Sequence, residues 1–291
     1  MQKIVLNTTY YMISQLSIVA GFREKKSYLV DAFFTRPFRV ANVGQYKTDD
    51  DLYLMVMSSS PGLLDNDQYA ISIKLEAGAR LQLQSQAYQR LYRMQTGAIQ
   101  NMKIMLEPGC AFSYVPHPVV PHQNSKFEGH TTIYLQEGCE LLLSEIITCG
   151  RKHSGEAFLF TSFQNLTEVY YKQKLILKDN VLLQPRQVPP GTIGQWEGYT
   201  HQGTLVYLNT GEQPVQVYLE KVQQIVAAEK GVFFGLSQAA INGFVLRILG
   251  HGGEQLFNCF KRVQGAIWQN NLLPEAPVPA KSKAPLLVQQ V

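Results

Sequence analysis

The 291-residue chain is poor in charge. Only 16% of its positions are Asp, Glu, Lys or Arg, against about 25% in an ordinary globular protein. A surface so short of ions is rich in Tyr, Phe and Gln and favours contact with partners. The charge present divides into 26 basic and 22 acidic residues spread along the chain. No basic stripe tracks a phosphate backbone, so no nucleic-acid partner is expected. The four cysteines, Cys110, Cys139, Cys149 and Cys259, lie far apart without CxxC spacing. Zinc ribbons and redox loops are thereby excluded, and the thiols read as free. No apolar run approaches the roughly 18 residues of a membrane span. The opening MQKIVLNTTYYMISQLSIVAGF lacks the basic start, apolar block and small-residue cleavage site of a secretory signal. Cytoplasmic residence and no membrane partner are expected. A glycine-rich phosphate loop and a G-x-S-x-G elbow are also missing, which leaves nucleotide binding and serine hydrolysis without a motif.

What the chain has is apolar content, 45% by residue, enough for a sizeable core and too much for disorder. It also has a repeat. The pattern L-x-x-G-[AC]-x-[LF] occurs at Leu75 to Leu81, Leu106 to Phe112 and Leu135 to Leu141, with turn glycines Gly78, Gly109 and Gly138 spaced 31 and 29 residues apart. Such a period signals stacked supersecondary units. Each unit reads as strand, tight turn, strand. Incoming strands put Ile71, Ile73, Leu75, then Met102, Ile104, Leu106, then Thr131, Ile133, Leu135 on one face, a period-two burial pattern. Outgoing strands carry Leu81, Leu83, Ser85, then Phe112, Tyr114, Pro116, then Leu141, Leu143, Glu145 at matching offsets from the glycine. The last member of each trio is not aliphatic.

LLLSEIITCG is apolar on both faces, as a strand covered on both sides is. Glu145 is therefore expected inside, where desolvation disfavours its charge unless it is bonded, paired or ligating. Arg151 or a backbone amide would satisfy it. Ser85 reads as a hydroxyl at a strand end, with no base or orienter assignable. Asp65, Asn66 and Asp67 read as a surface turn, since Asp and Asn side chains bond their own backbone there. Cys110, His117, His122, His130, Cys139, Cys149 and His153 crowd one stretch, but HPVVPH brackets prolines in a loop rather than a helix face as HExxH does. Solvent-facing or core roles suit these histidines better than a metal centre.

Further on, VYYKQKLILKDNVLLQP reads as a strand pair turning at Asp179 and Asn180, followed by a loop from Pro185 to Gly191. Pro214 to Glu229 carries Leu219, Val222 and Val226 at helical spacing, Gly243 to Leu249 reads as a strand, and Glu254 to Gln269 shows the stripe Leu256, Phe260, Val263, Ile267. The fold class expected is mainly β: an elongated β-helix-like stack of strand-turn-strand rungs with two α-helices in the C-terminal third. One domain would span 1–273, with a flexible tail over 274–291, where Pro, Ala and Lys mix.

Several blocks, in order and spacing, carry a resemblance: FFTRPFRV, SSSPGLLDND, LQLQSQAYQRLYRM, EPGCAFSYVPHPVVPH, LLLSEIITCGRKHSGEAF, GVFFGLSQAAINGFVLRIL and FKRVQGAIW. Over nearly its whole length the chain resembles the urease accessory protein D family, UreD, also called UreH. The resemblance implies a non-enzymatic scaffold that works with urease accessory proteins F and G on apo-urease during assembly of the nickel metallocentre. It implies a β-helix-like stack with an internal tunnel, with no tightly bound cofactor and nickel(II) only in transit. The acidic end of the family's Gly-Gly-Asp turn falls on Asp67 and its interior acidic position on Glu145. Its Gly-Arg pair falls on Gly150 and Arg151, its Gly-Glu pair on Gly155 and Glu156, and its Tyr-Arg pair on Tyr92 and Arg93, with Ser85 in the polar strand end before. Glu145, Ser85, Asp67 and Glu156 are the path candidates. The chain departs from the pattern at Asp65 and Asn66, where the family has Gly-Gly, and at His122, where an aromatic is common. A path that passes an ion must bind it weakly enough to release it, and isolated oxygen ligands suit that better than a convergent set. Two other readings stand beside this one: a protein-interaction scaffold without metal passage, and a β-helix polysaccharide hydrolase using Asp65, Asp67 or Glu145 as paired acids.

Overall fold

The computed structural model describes residues 13–44, 49–239 and 241–268. In chain order the first strands are β1 (Ile13–Arg23), β2 (Lys26–Phe34), β3 (Phe38–Asn42), β4 (Leu52–Ser58), β5 (Gln68–Leu75), β6 (Arg80–Ser85) and β7 (Gln89–Leu91). There follow β8 (Ala98–Leu106), β9 (Ala111–Tyr114), β10 (Val119–Pro121), β11 (Lys126–Leu135), β12 (Glu140–Thr148), β13 (Ser162–Tyr171) and β14 (Lys174–Leu183). The last part holds β15 (His201–Asn209), α1 (Gln216–Ala227), β16 (Phe233–Gln238), β17 (Gly243–Gly250) and α2 (Gly253–Trp268). The described residues are mainly β, with two helices in the C-terminal part.

The strands form two sheets. One has seven strands in the order β14-β13-β11-β8-β5-β1-β2; the other has ten, with the path β16-β17-β15-β12-β9-β6-β4-β3, β10 joined to β12, and β7 joined to β10. Each repeat crosses from the first sheet to the second: β5 to β6 at Gly78, β8 to β9 at Gly109, β11 to β12 at Gly138. All three glycines sit at positive φ, 79°, 71° and 71°, the left-handed region where a Cβ is strained. The turns are bonded to one another, Gly78 N–H donating to Pro108 O at 2.9 Å and Gly109 N–H to Glu137 O at 2.9 Å.

Stacking of the units sets the register. Ile73 pairs with Ile104 and Ile104 with Ile133; Leu75 pairs with Leu106 and Leu106 with Leu135. These parallel ladders put like residues side by side, and all six are buried. Antiparallel partners take over at the margins: β1 with β2, β13 with β14, β3 with β4, and β12 with β15, then β17, then β16. Parallel pairing is thus confined to the middle of the two sheets, and the structure is described by these sheets and not by the continuous β-helix-like stack expected from the sequence.

A first core fills the space between the sheets, and a second lies where α1 and α2 cover the outer face of the larger sheet. β12 serves both. Leu141 and Ile147 belong to the inter-sheet core and Leu142 and Ile146 to the core beneath the helices, which explains its apolar residues on both faces. The α2 stripe Leu256, Phe260, Val263 and Ile267 is buried there, each side chain contributing about 1.5–3 kcal/mol. The end of α2 is held by Trp268, whose indole N–H donates to Asp51 Oδ2 at 2.8 Å; Arg80 Nε donates to Asp51 Oδ1 at 2.8 Å and its guanidinium lies 4.8 Å from the Trp268 ring centroid.

One expected turn is corrected. The β13–β14 hairpin reverses at Lys172 and Gln173, both at positive φ (47° and 63°), and Asp179 and Asn180 lie within β14, paired with Thr167 and Leu166. Inter-sheet contacts hold Asp179 in the strand against its local preference for a turn. The tail expected over 274–291 lies outside the described residues.

Candidate functional site

The interior is apolar near the glycine turns and polar farther from them. On the smaller sheet the register sets Tyr69 beside Gln100, Gln100 beside Gly129, and Gly129 beside Asn165. On the larger sheet Glu145 pairs with Thr204 and Thr204 with Arg247. Ser85 stands seven residues after Gly78, as Glu145 stands seven after Gly138. Facing polar residues therefore line one level of the sandwich.

Glu145 projects from β12 toward the smaller sheet, on the same face as Leu141 and Ile147, and is half-buried. Contrary to the expectation from the sequence, neither Arg151, which pairs with Glu156, nor a backbone amide bonds it among the described residues. Asn165 Nδ2 donates to Glu145 Oε1 at 2.8 Å from the opposite sheet. Burial pushes the Glu145 carboxyl up to about 7; the Asn165 bond and Arg247 work against this rise and Asp179 adds to it. Arg247 spans the gap beside them, donating to Thr204 Oγ1 at 3.2 Å and to Asp179 Oδ1 at 2.6 Å. Asp179 and Arg247 also line a cleft of about 480 Å³ with Trp196 and Phe233.

At the other end of the row, Ser85 Oγ accepts the backbone N–H of His117 at 2.8 Å and lies 3.0 Å from the same residue's Nδ1. The His117 ring stacks on Phe257, centroids 4.2 Å apart. Ser85, Tyr69 and Gln100 line a cleft of about 230 Å³, and Gln89 Nε2 donates to Gln100 Oε1 at 3.2 Å. Ser85 thus has an imidazole partner, though its distance in the chain hides it. His117, Asn165, Asp179 and Arg247 are the residues that sequence reasoning missed. Their only signal was that Ser85 and Glu145 share an offset, which marks a polar level but not its occupants.

Asp67 and Glu156 are bonded outside this row. Asp67 Oδ2 accepts the Leu64 N–H at 2.7 Å, and Asp65 Oδ1 accepts the N–H groups of Thr96 and Gly97, each at 2.9 Å. Asn66, at φ 68°, takes the left-handed position, which Asn tolerates better than most residues, so the turn forms without the family's glycines. Glu156 Oε2 accepts from Arg151 Nε at 2.9 Å, a pair that holds the carboxyl below its ordinary range. Gly150, at φ 118°, leaves no room for a Cβ, which would lie 2.8 Å from Glu156 O and 2.9 Å from Pro121 O. Gly155 ends a short 3-10 turn at φ 77°. Tyr92 meets the buried His122 edge-on, centroids 4.8 Å apart, and Arg93 is exposed.

All four cysteines are free and buried. Burial pushes the Cys110 thiol up to about 12, and Cys110 Sγ donates to Glu76 O at 3.1 Å while Cys139 Sγ donates to Glu107 O at 3.2 Å. Such thiols are inert turn-fillers. Among the described residues, no three His, Cys, Asp or Glu side chains converge as a metal centre would require, and no helix is long and apolar enough to cross a membrane.

Fold and site together define a two-sheet β protein that holds scattered polar side chains between its sheets, with no convergent metal-binding set among the described residues. The profile of the UreD urease accessory protein family matches residues 13–283. A urease accessory protein UreD of Flavobacterium johnsoniae is 54% identical over 257 residues, 88% of this chain and 93% of that protein. Those of Acetivibrio thermocellus and Haemophilus influenzae are 34% and 33% identical, covering 88% and 87% of this chain and 97% of each relative. The chain belongs to the UreD urease accessory protein family.

Proposed function

We propose that the protein is a non-enzymatic adaptor that joins accessory proteins F and G to apo-urease, and that nickel(II) passes along the polar level between its sheets. The observation that carries this reading is the row of Ser85, Gln100, Asn165 and Glu145 facing one another across an otherwise apolar interior. Each offers one oxygen-bearing group, so a hydrated ion meets ligands in succession and is never caged. Glu145 supplies negative charge when deprotonated, and because burial raises its carboxyl to about 7, its charged and neutral forms are both populated near neutral pH. Asp67, two residues before Tyr69, and Glu156 are the remaining path candidates.

The test is Glu145→Gln or Glu145→Ala, with recovery of the accessory complex and urease nickel content measured together. Intact complex with strongly reduced nickel is expected. Normal loading removes Glu145 from the path. A scaffold that leaves nickel to diffusion is the second reading, favoured by exposed Phe22, Tyr28, Phe33, Phe34 and Phe233. Gln100→Trp, which fills the row, separates the two: urease activation that survives in an intact complex supports the scaffold.

A further inference from the structure

We propose that Asn165, seated in the space that Gly129 leaves open, is the positioning residue for the Glu145 carboxylate. The proposal deepens the nickel-path reading and rests on it for its functional meaning, but its physical content stands on the geometry alone.

Gly129 is buried in the middle of β11, paired with Asn165 on β13. A Cβ built there would overlap the Asn165 carboxamide oxygen and come within 3.0 Å of Phe127 Cε1. Neighbouring inward positions of β11 carry Phe127, Thr131 and Ile133, so glycine at this one place interrupts a strand that otherwise fills its space. Glycine in a strand interior weakens the strand and marks a site where another group approaches closely. Here that group is the Asn165 carboxamide, leaning over the glycine with its N–H toward Glu145 Oε1, 2.8 Å away.

The charged groups around Glu145 leave this task to Asn165. Arg247 on β17 is committed to Asp179 on β14 and to Thr204 on β15, and Asp179 opposes the Glu145 charge. Asn165 supplies the only hydrogen bond to the carboxylate found among the described residues. A donor aimed at the charged form favours that form. By its geometry the bond orients the carboxylate across the gap, holding Oε1 toward β13.

The test uses the full chain in its accessory complex, labelled with carboxyl-13C glutamate. The Glu145 resonance is assigned by its loss in Glu145→Gln, and its titration midpoint is read. Asn165→Ala should raise the midpoint by about one pH unit, the scale of one charge-assisted hydrogen bond. The isosteric Asn165→Asp, which preserves volume and so the packing, should raise it further by adding like charge. Gly129→Ala should shift it in the same direction, and should add nothing on top of Asn165→Ala, because its effect runs through the carboxamide. Unmoved midpoints in Asn165→Asp and Asn165→Ala, or fully additive shifts with Gly129→Ala, overturn the proposal. Urease nickel content separates the two layers. Normal loading in Glu145→Gln sinks the path reading and leaves the positioning intact; lost loading there with an unmoved midpoint in Asn165→Asp sinks the positioning alone.

Discussion

Two levels of the same repeat behave oppositely. Around the glycine turns, Leu81, Phe112 and Leu141 line up beside one another with none of their surface exposed. Farther from the glycines, the corresponding positions hold Ser85 and Glu145 in their strands and Pro116 just past the end of β9. Where the residues are alike, each unit solves the same packing problem and close-packed side chains supply the stability. Where they differ, the two polar members make separate bonds, Ser85 to His117 and Glu145 to Asn165. Close packing belongs to one level and individual polar bonds to the other, and a repeat accommodates both because period-two alternation constrains facing but not residue type.

That division predicts unequal costs. Phe112→Ala at the apolar level should lower the free energy of unfolding by about 3–5 kcal/mol, as large-to-small changes in a packed core do, read from urea denaturation. A loss comparable to that of a surface substitution would break the contrast. Gly138→Ala should cost about 1–2 kcal/mol, since a side chain at φ 71° is strained; a melting curve compares it with Gly155→Ala, whose φ is 77° but whose Cβ meets open space, so any excess at Gly138 reports the stacking of turns.

The polar level should reveal itself through pH. The folded Glu145 carboxyl lies at about 7, above the ordinary 4.5, so the folded state holds its proton more tightly than the unfolded state does. Its contribution is present in full below pH 4.5 and disappears as pH rises through about 7. Glu145→Gln should flatten that part of a stability-against-pH curve, and an unchanged slope would place the carboxyl in water. The smallest effect is expected at the surface corner, where Arg151→Ala breaks the pair with Glu156. With Arg151 exposed, it should cost less than about 1 kcal/mol, measured by the same denaturation.

Much of this architecture was legible before any coordinates. The glycine period located the turns, alternation assigned the inward faces of β5, β8 and β11, and apolar stripes placed α1 and α2 within a residue or two of their observed ends. The hairpin was misread because Asp179 and Asn180 have turn chemistry that tertiary contacts override. Lys172 and Gln173, which do make the turn, carry no such signature. The interior placement of Glu145 followed from the two apolar faces of its strand, yet its partner did not.

Local patterning determined which side chains point inward, because facing depends only on the alternation of neighbours along one strand. Which groups meet across the gap was decided by tertiary structure alone. Asn165 reaches Glu145 and Arg247 reaches Asp179 only because two sheets of separately determined register are pressed together by the apolar level beside them. A contact between strands distant in the chain is a property of that docking, and no periodicity within either strand encodes it.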